Sequence, residues 1–351
     1  MLILGIETSC DETGAAVIEG KPNSKKVNLL SNVVASSLSL HSQSGGIIPE
    51  NAAREQVKYI VPVIKEALSG AKKNIKDIDA IALTYGPGLI GSLLIGVETA
   101  KTLSYVFNKP LIPTNHLLGH IYANFIETEL NSNIEFPAIA LIVSGGHTDL
   151  ILIKGHGSIK WLGGTRDDAA GEALDKIGRL LGLPYPGGPH IEKAAISGNS
   201  KHFLFPRPLI GSPDFDFSFS GLKTAVLREV KTIRKINERT KSDICVCVQN
   251  AIIDVLVRKT LRAVDQYNAK SILLGGGVAA NQKLRDEFEL KIENLKLKTP
   301  LFAPVKWLCT DNGAMIAAAA FFSAKGRSAS GGNKIGVPWR EVDANPSLYF
   351  N

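Results

Sequence analysis

LILGIETSCDETGAAVIE (residues 2–19) decides the fold. Residues 2–8 form an apolar run, Ser9–Glu12 supply a small polar turn, and residues 13–19 form a second run, so the chain opens on a β-hairpin. The arrangement returns at IALIVSGGHTDLILI (139–153), where Gly145-Gly146-His147 turn between two apolar strands. A third strand follows each hairpin, at 27–35 and 158–162, and helices alternate with strands after it. The pattern predicts an internally duplicated α/β chain, each half a mixed sheet covered by helices.

The remaining elements extend from these hairpins. In the first half, Val57, Ile60, Val61, Ile64 and Leu68 carry helical spacing over 51–70. A short strand at 78–84 ends in Gly86-Pro87-Gly88, and a helix over 89–107, a strand at 111–114 and a helix over 115–126 complete the half. In the second half, 169–182 reads as helix, 184–221 as a Pro-, Gly-, Phe- and Ser-rich connection, and 243–267 as a long helix. The strand 271–274 then enters Gly275-Gly276-Gly277, followed by helices over 279–293 and from about Asp311. This predicts a first domain over 1–126 with the last helix, 311–325, packed on it, a second domain over 127–310, and a surface tail over 326–351.

The 351 residues are 44% apolar and 21% charged, the balance of a chain that buries sizeable cores, and two packed domains suit the length. Cys10, Cys245, Cys247 and Cys309 form no C-x-x-C pair, and Met1–Ile6 lacks the basic start of a secretory signal, so reduced thiols in a cytoplasm are expected. The longest apolar stretch, Ala314–Phe322, is too short to span a bilayer. A net charge of +7 permits a polyanionic partner without demonstrating one. Locally the surplus is stronger: Lys223, Arg228, Lys231, Arg234, Lys235, Arg239 and Lys241 face only Glu229 and Glu238, either as a stripe for phosphates or as a solvated helix face.

His116 and His120, spaced i, i+4 on an expected helix, place two imidazoles on one face, as two ligands of one metal require. Leu117 stands where a helical zinc protease needs a Glu beside its first His, so that chemistry lacks its base. Asp311 serves equally as a third ligand or as an N-cap for 312–324. Small-residue turns after strands, at Ser9–Thr13, Ser144–Thr148 and Gly275–Val278, offer backbone amides to phosphate and predict a nucleotide cleft between two domains. Asp11, Glu12, Asp167, Asp168, Glu172 and Asp175 add carboxylates for ribose hydroxyls, a cation or proton transfer, although Asp167 and Asp168 also suit a helix N-terminus.

GIETSCDETGAAV (5–17), GGIIPENAARE (45–55), GPGLIGSLLIG (86–96), NHLLGH (115–120), SGGHT (144–148), DDAAGEALDKIGRLLGLPYPGGP (167–189), FSFSGLKTA (217–225), GGGVAAN (275–281) and CTDNGAM (309–315) together resemble the TsaD family, once labelled O-sialoglycoprotein endopeptidase. The likeness runs from residue 3 to about 325. It implies a duplicated actin-like ATPase fold of the sugar-kinase and Hsp70 kind, with two domains around a nucleotide cleft. It also implies transfer of a threonylcarbamoyl group from threonylcarbamoyl-adenylate to the exocyclic amine of the adenosine 3′ to the anticodon, in tRNAs reading codons that begin with A. An ATP-dependent kinase or ATPase on the same fold is the rival reading.

Carried over by motif, the resemblance puts a divalent metal, iron ahead of zinc, on His116, His120 and Asp311. It puts the adenylate on Ile142, Val143, Ser144, Gly145, Gly146, Asp175, Gly188 and Asn281. Asp11 or Glu12 is then the acceptor of the amine proton. The implied partners are tRNA, threonylcarbamoyl-adenylate and, as in bacterial relatives, a paralogous actin-like subunit and a small ATPase, with no membrane. Gln56 stands where many relatives have a His.

Overall fold

The opening hairpin forms as its apolar runs require: β1 (Leu2–Glu7) pairs antiparallel with β2 (Glu12–Glu19), with Ile3 opposite Ile18 and Glu7 opposite Gly14. The computed structural model describes residues 1–22, 24–37, 46–127, 133–233, 236–329 and 336–350. They fall into two units, one of residues 1–133, 155–158 and 304–351, the other of 134–154 and 159–303.

In the first unit, β3 (Asn28–Ser36), β4 (Ala80–Gly86) and β5 (Leu111–Asn115) complete a sheet of order β3-β2-β1-β4-β5. β4 runs parallel to β1, and β5 parallel to β4. The helices are α1 (Pro49–Gly70), α2 (Ile90–Phe107), the short α3 (His116–Tyr122) and α9 (Gly313–Ala329). Leu4, Ile6, Val17, Ile60, Ile64, Ile81 and Leu83 belong to one buried cluster, which joins the sheet to α1.

In the second unit, β6 (Ala138–Val143), β7 (Thr148–Gly155), β8 (Ser158–Gly164), β9 (Ser271–Gly275) and β10 (Leu301–Phe302) form a sheet of order β8-β7-β6-β9-β10. Counted within each unit, both sheets run third, second, first, fourth, fifth strand. The long helix is α7 (Glu238–Gln266), accompanied by α4 (Ala170–Leu180), α5 (Gly187–Ala195), α6 (Ser220–Thr232) and α8 (Gln282–Asn294).

Several local expectations change. The single apolar stripe expected on 51–70 is two stripes: Ile60, Ile64 and Ala67 are buried, whereas Val57 and Val61, one turn apart on another face, are 60% and 50% exposed. The connection 184–221 contains α5, whose Gly-Gly-Pro start hid it. There Gly187 packs within 2.7 Å of the Leu174 carbonyl, measured from a built Cβ, and tertiary packing overrides poor propensity. The basic run divides between α6 and the start of α7, with Arg234 and Lys235 outside the described residues. Of the chain end expected as a surface tail, 336–350 is described; Val337 N–H donates to Leu111 O at 2.8 Å and Val342 is 2% exposed.

Asp167 also acts elsewhere than expected. Phe219, at the N-cap position of α6, offers no side-chain acceptor. The Asp167 carboxylate fills the role from 52 residues away in sequence, accepting from the amides of Phe219 (2.8 Å) and Ser220 (3.1 Å) and from the hydroxyls of Ser218 and Ser220. Burial opposes this charge, but the donors prevail and hold the carboxyl below its ordinary range. Asp167→Ala is expected to destabilise the second unit by about 1 kcal/mol, the usual cost of a lost cap, seen as a lower urea midpoint with weaker amide protection over 220–224.

Candidate metal centre

Asn115 starts α3 by accepting from the amides of Leu117 (2.8 Å) and Leu118 (3.3 Å). The helix then carries His116 and His120 one turn apart, their ring centroids separated by 4.7 Å and their planes by 76°. Both are buried, at 6% and 1% exposure. α9 begins nearby, and its N-cap is Asn312, whose Oδ1 accepts from Met315 N at 3.0 Å. Asp311 therefore does not serve as the cap. Its Oδ1 lies 3.3 Å from His120 Nε2 and 3.7 Å from His116 Nε2.

One ligand atom from each of His116, His120 and Asp311 can be chosen so that all lie within 4.8 Å of one another. Among the described residues neither nitrogen of the buried His120 has a hydrogen-bond partner, and its approach to Asp311 lacks hydrogen-bond alignment. A buried imidazole left in this state is costly unless something else takes a lone pair. The residues present thus fit a divalent cation held by two nitrogens and one carboxylate.

The charges agree with this geometry. Burial works against an imidazolium at His116, yet Asp311 and Glu7 together outweigh it and hold the metal-free pKa up at about 9. Glu7, fully buried at the end of β1, escaped the motif reading because it looks like one residue of a strand. Its carboxylate accepts from Ser9 N at 2.5 Å and Thr84 Oγ1 at 2.6 Å, and its Oε2 lies 3.1 Å from His116 Nδ1.

The turn after β1 holds Cys10, Asp11 and Glu12. Burial, reinforced by the charges of Asp311 and Asp11, pushes the Glu12 carboxyl well above its usual range. Burial with the same acidic surroundings raises the Cys10 thiol. Gln56 braces this turn from α1, its Nε2 donating to Cys10 O (3.2 Å) and Glu12 O (2.9 Å).

The residues implied for an adenylate lie in the second unit. Ile142 and Val143 are wholly buried in β6, so their side chains face the core. Ser144–Gly146 form the turn that follows; Ser144 N donates to His147 O, and both glycines have open space where a Cβ would stand. Gly171, in the first turn of α4, approaches this turn so closely that a Cβ there would meet Gly145 Cα at 2.8 Å. Asp175 accepts from Gly187 N at 2.7 Å and also from the amide of Gly188, tying α4 to the start of α5. Burial is the leading influence on its carboxyl and raises it. Asn281 caps α8 through Leu284 N and donates to Gln249 Oε1.

A family model described as tRNA N6-adenosine threonylcarbamoyltransferase, TsaD, matches residues 28–318. A curated protein of that name from Moorella thermoacetica is 48% identical over 321 residues, 91% of either chain. One from Bacillus subtilis is 50% identical over 320 residues, 91% of this chain and 89% of its own. Among solved structures, T. kodakarensis HypF superposes with a TM-score of 0.61 over 94% of this chain and 48% of its own, at 14% identity, a likeness of fold alone. With a match over most of its length and relatives about half identical across nine-tenths of it, the chain belongs to the TsaD family.

Proposed function

We propose that the chain transfers the threonylcarbamoyl group of threonylcarbamoyl-adenylate to the exocyclic amine of the adenosine 3′ to the anticodon, in tRNAs reading codons that begin with A. Beside family membership, one observation carries this reading: two buried imidazoles and a carboxylate converge, with both His120 nitrogens otherwise unserved. A kinase or ATPase of the same fold is not favoured, because Mg²⁺ prefers carboxylates and waters to paired imidazoles. The equal strand order of the two sheets supports a duplicated actin-like ATPase fold.

His116, His120 and Asp311 would hold one divalent cation, iron ahead of zinc. When bound, it supplies a Lewis acid that polarises a carbamoyl or phosphate oxygen. The adenine amine is a weak nucleophile because its lone pair is delocalised into the ring, so placement and charge stabilisation must supply the rate. The open turn Ser144–Gly146 offers amides to the phosphate, with Asp175, Gly188 and Asn281 framing the nucleotide. We assign the amine proton to Glu12, whose carboxyl burial pushes up, with Asp11 as its neighbour.

The exposed Lys223, Arg228 and Lys231 of α6 are candidates for the tRNA backbone. Exposed i, i+4 pairs on two helices, Val57 and Val61 on α1 and Ile90 and Leu94 on α2, suit an apolar protein partner. We assign that surface to a paralogous actin-like subunit, with a small ATPase completing the assembly. No helix among the described residues is long and apolar enough to cross a membrane, and we place the reaction in the cytoplasm.

Three measurements test these proposals. Given threonylcarbamoyl-adenylate and unmodified tRNA without ATP, the protein with its partner subunits is expected to release AMP in step with the modified nucleoside; a strict ATP requirement would contradict this. Metal binding must release the proton that His116 holds up to a pH of about 9. Zinc affinity is therefore expected to rise about tenfold per pH unit toward that value and level off above it, while a folded His116→Ala, His120→Ala double variant takes up no stoichiometric zinc. Replacing Lys223, Arg228 and Lys231 by Gln should weaken tRNA binding and flatten its log–log salt dependence by about 2–3, with metal uptake unchanged.

A further inference from the structure

Glu7 is an unusual occupant of its position. It ends β1, the strand flanked by β2 and β4, and its carboxylate is wholly removed from solvent. Burying an ionised carboxylate costs several kcal/mol unless its oxygens are satisfied, and an apolar side chain would fill such a place without that cost. The pairing of Ile6 with Leu83 brings the next residues of the parallel strands, Glu7 and Thr84, level. Oε1 accepts from Ser9 N and Oε2 from Thr84 Oγ1, which fixes the plane of the carboxylate; Oε2 also lies 3.1 Å from His116 Nδ1.

An ionised carboxylate only accepts, so His116 Nδ1 must carry the hydrogen between them. In the singly protonated ring the lone pair is then on Nε2, the nitrogen facing Asp311 Oδ1. Ser9 Oγ, also 3.1 Å from Nδ1, is a second acceptor for the same hydrogen, but a neutral one. His120 offers a contrast within the same helix: among the described residues neither of its nitrogens has a hydrogen-bond partner, and no carboxylate holds its Nδ1 as Glu7 holds that of His116.

We infer that Glu7 is the positioning residue of the metal centre, holding His116 by Nδ1–H so that Nε2 is presented to the cation. The inference rests on the metal reading proposed above and adds a residue to it. Carboxylate–imidazole pairs of this kind fix the tautomer and make the ligand nitrogen more basic, which is how Glu7 would act without touching the metal.

The test uses the full chain and zinc. Affinity is read by competition with a chromophoric chelator for the wild type and for Glu7→Gln, Ser9→Ala and His120→Ala. Zinc-loaded, ¹⁵N-histidine-labelled wild type is examined by long-range ¹H–¹⁵N correlation. The expected results are a loss of about 10–100-fold in Glu7→Gln, a change below about threefold in Ser9→Ala, and His116 protonated at Nδ1 and zinc-bound at Nε2. If zinc binds the wild type and His120→Ala abolishes it, but Glu7→Gln keeps its affinity, the inference is overturned and the metal site stands. Coordination of His116 through Nδ1 also overturns it, and this reading needs no variant to fold. A wild type that takes up no zinc removes the metal reading and this one with it.

Discussion

The meeting of His116, His120 and Asp311 depends on a backbone-to-backbone approach. α9 meets the hairpin β1–β2 at Gly5, Gly14 and Gly313, and a Cβ on any of the three would collide with the other element. Built on Gly14 it would stand 2.9 Å from Gly313 N, and built on Gly313, 2.6 Å from Ala16 N. Glycines allow this contact because they remove the side chain that normally holds a helix away from a sheet. The last α-helix of the first unit is thereby seated against its first hairpin, and Asp311, two residues before α9, reaches imidazoles that come from a different part of the chain. Asn312 takes the cap, which leaves the neighbouring carboxylate to face the histidines.

That seating concentrates charge. Glu7 and Asp311 stand beside the buried His116, Asp11 and Asp311 act on Glu12, and the crowding of acids shows in opposite directions on the two kinds of group. His116 is drawn toward its protonated form against the effect of burial, while Glu12 is driven toward its neutral form by burial and by the acids beside it. Both responses reduce a negative surplus by taking up protons. A bound dication would serve the same end, so the cluster is matched to a positive guest in its electrostatics as well as its donor atoms. A core built for stability alone would replace these groups with apolar ones at little or no cost.

Much of this was legible in the sequence, and the physical reasons for the rest are specific. The two hairpins declared themselves because apolar runs broken by small residues have few other solutions, and the His pair did so because helical spacing fixes a shared face. Glu7 stayed hidden: one acid in an apolar strand carries no spacing, and its role depends on Thr84 and His116, far along the chain. α5 was missed because its first residues disfavour helix and its packing against α4 and α7 secures it. Val57 and Val61 read as core since periodicity marks an apolar face without saying what covers it. The basic run read as one stripe because charge counting ignores the break between α6 and α7.

Gln56 holds the acidic turn through its side-chain amide, a role that an imidazole would fill differently. Its single NH₂ group donates both hydrogens, to the carbonyls of the residues on either side of Asp11, while its buried Oε1 has no partner among the described residues. A neutral imidazole has one N–H and can serve only one of those carbonyls from the same place; a second donor requires protonation, and it then projects from the other edge of the ring. The amide accepts the cost of an orphaned oxygen, about 1–3 kcal/mol, for a double hold that does not titrate. Glu12 begins β2 directly from this held backbone. The brace that Gln56 puts on the acidic turn therefore carries no titratable group, whatever the protonation of the Glu12 carboxyl.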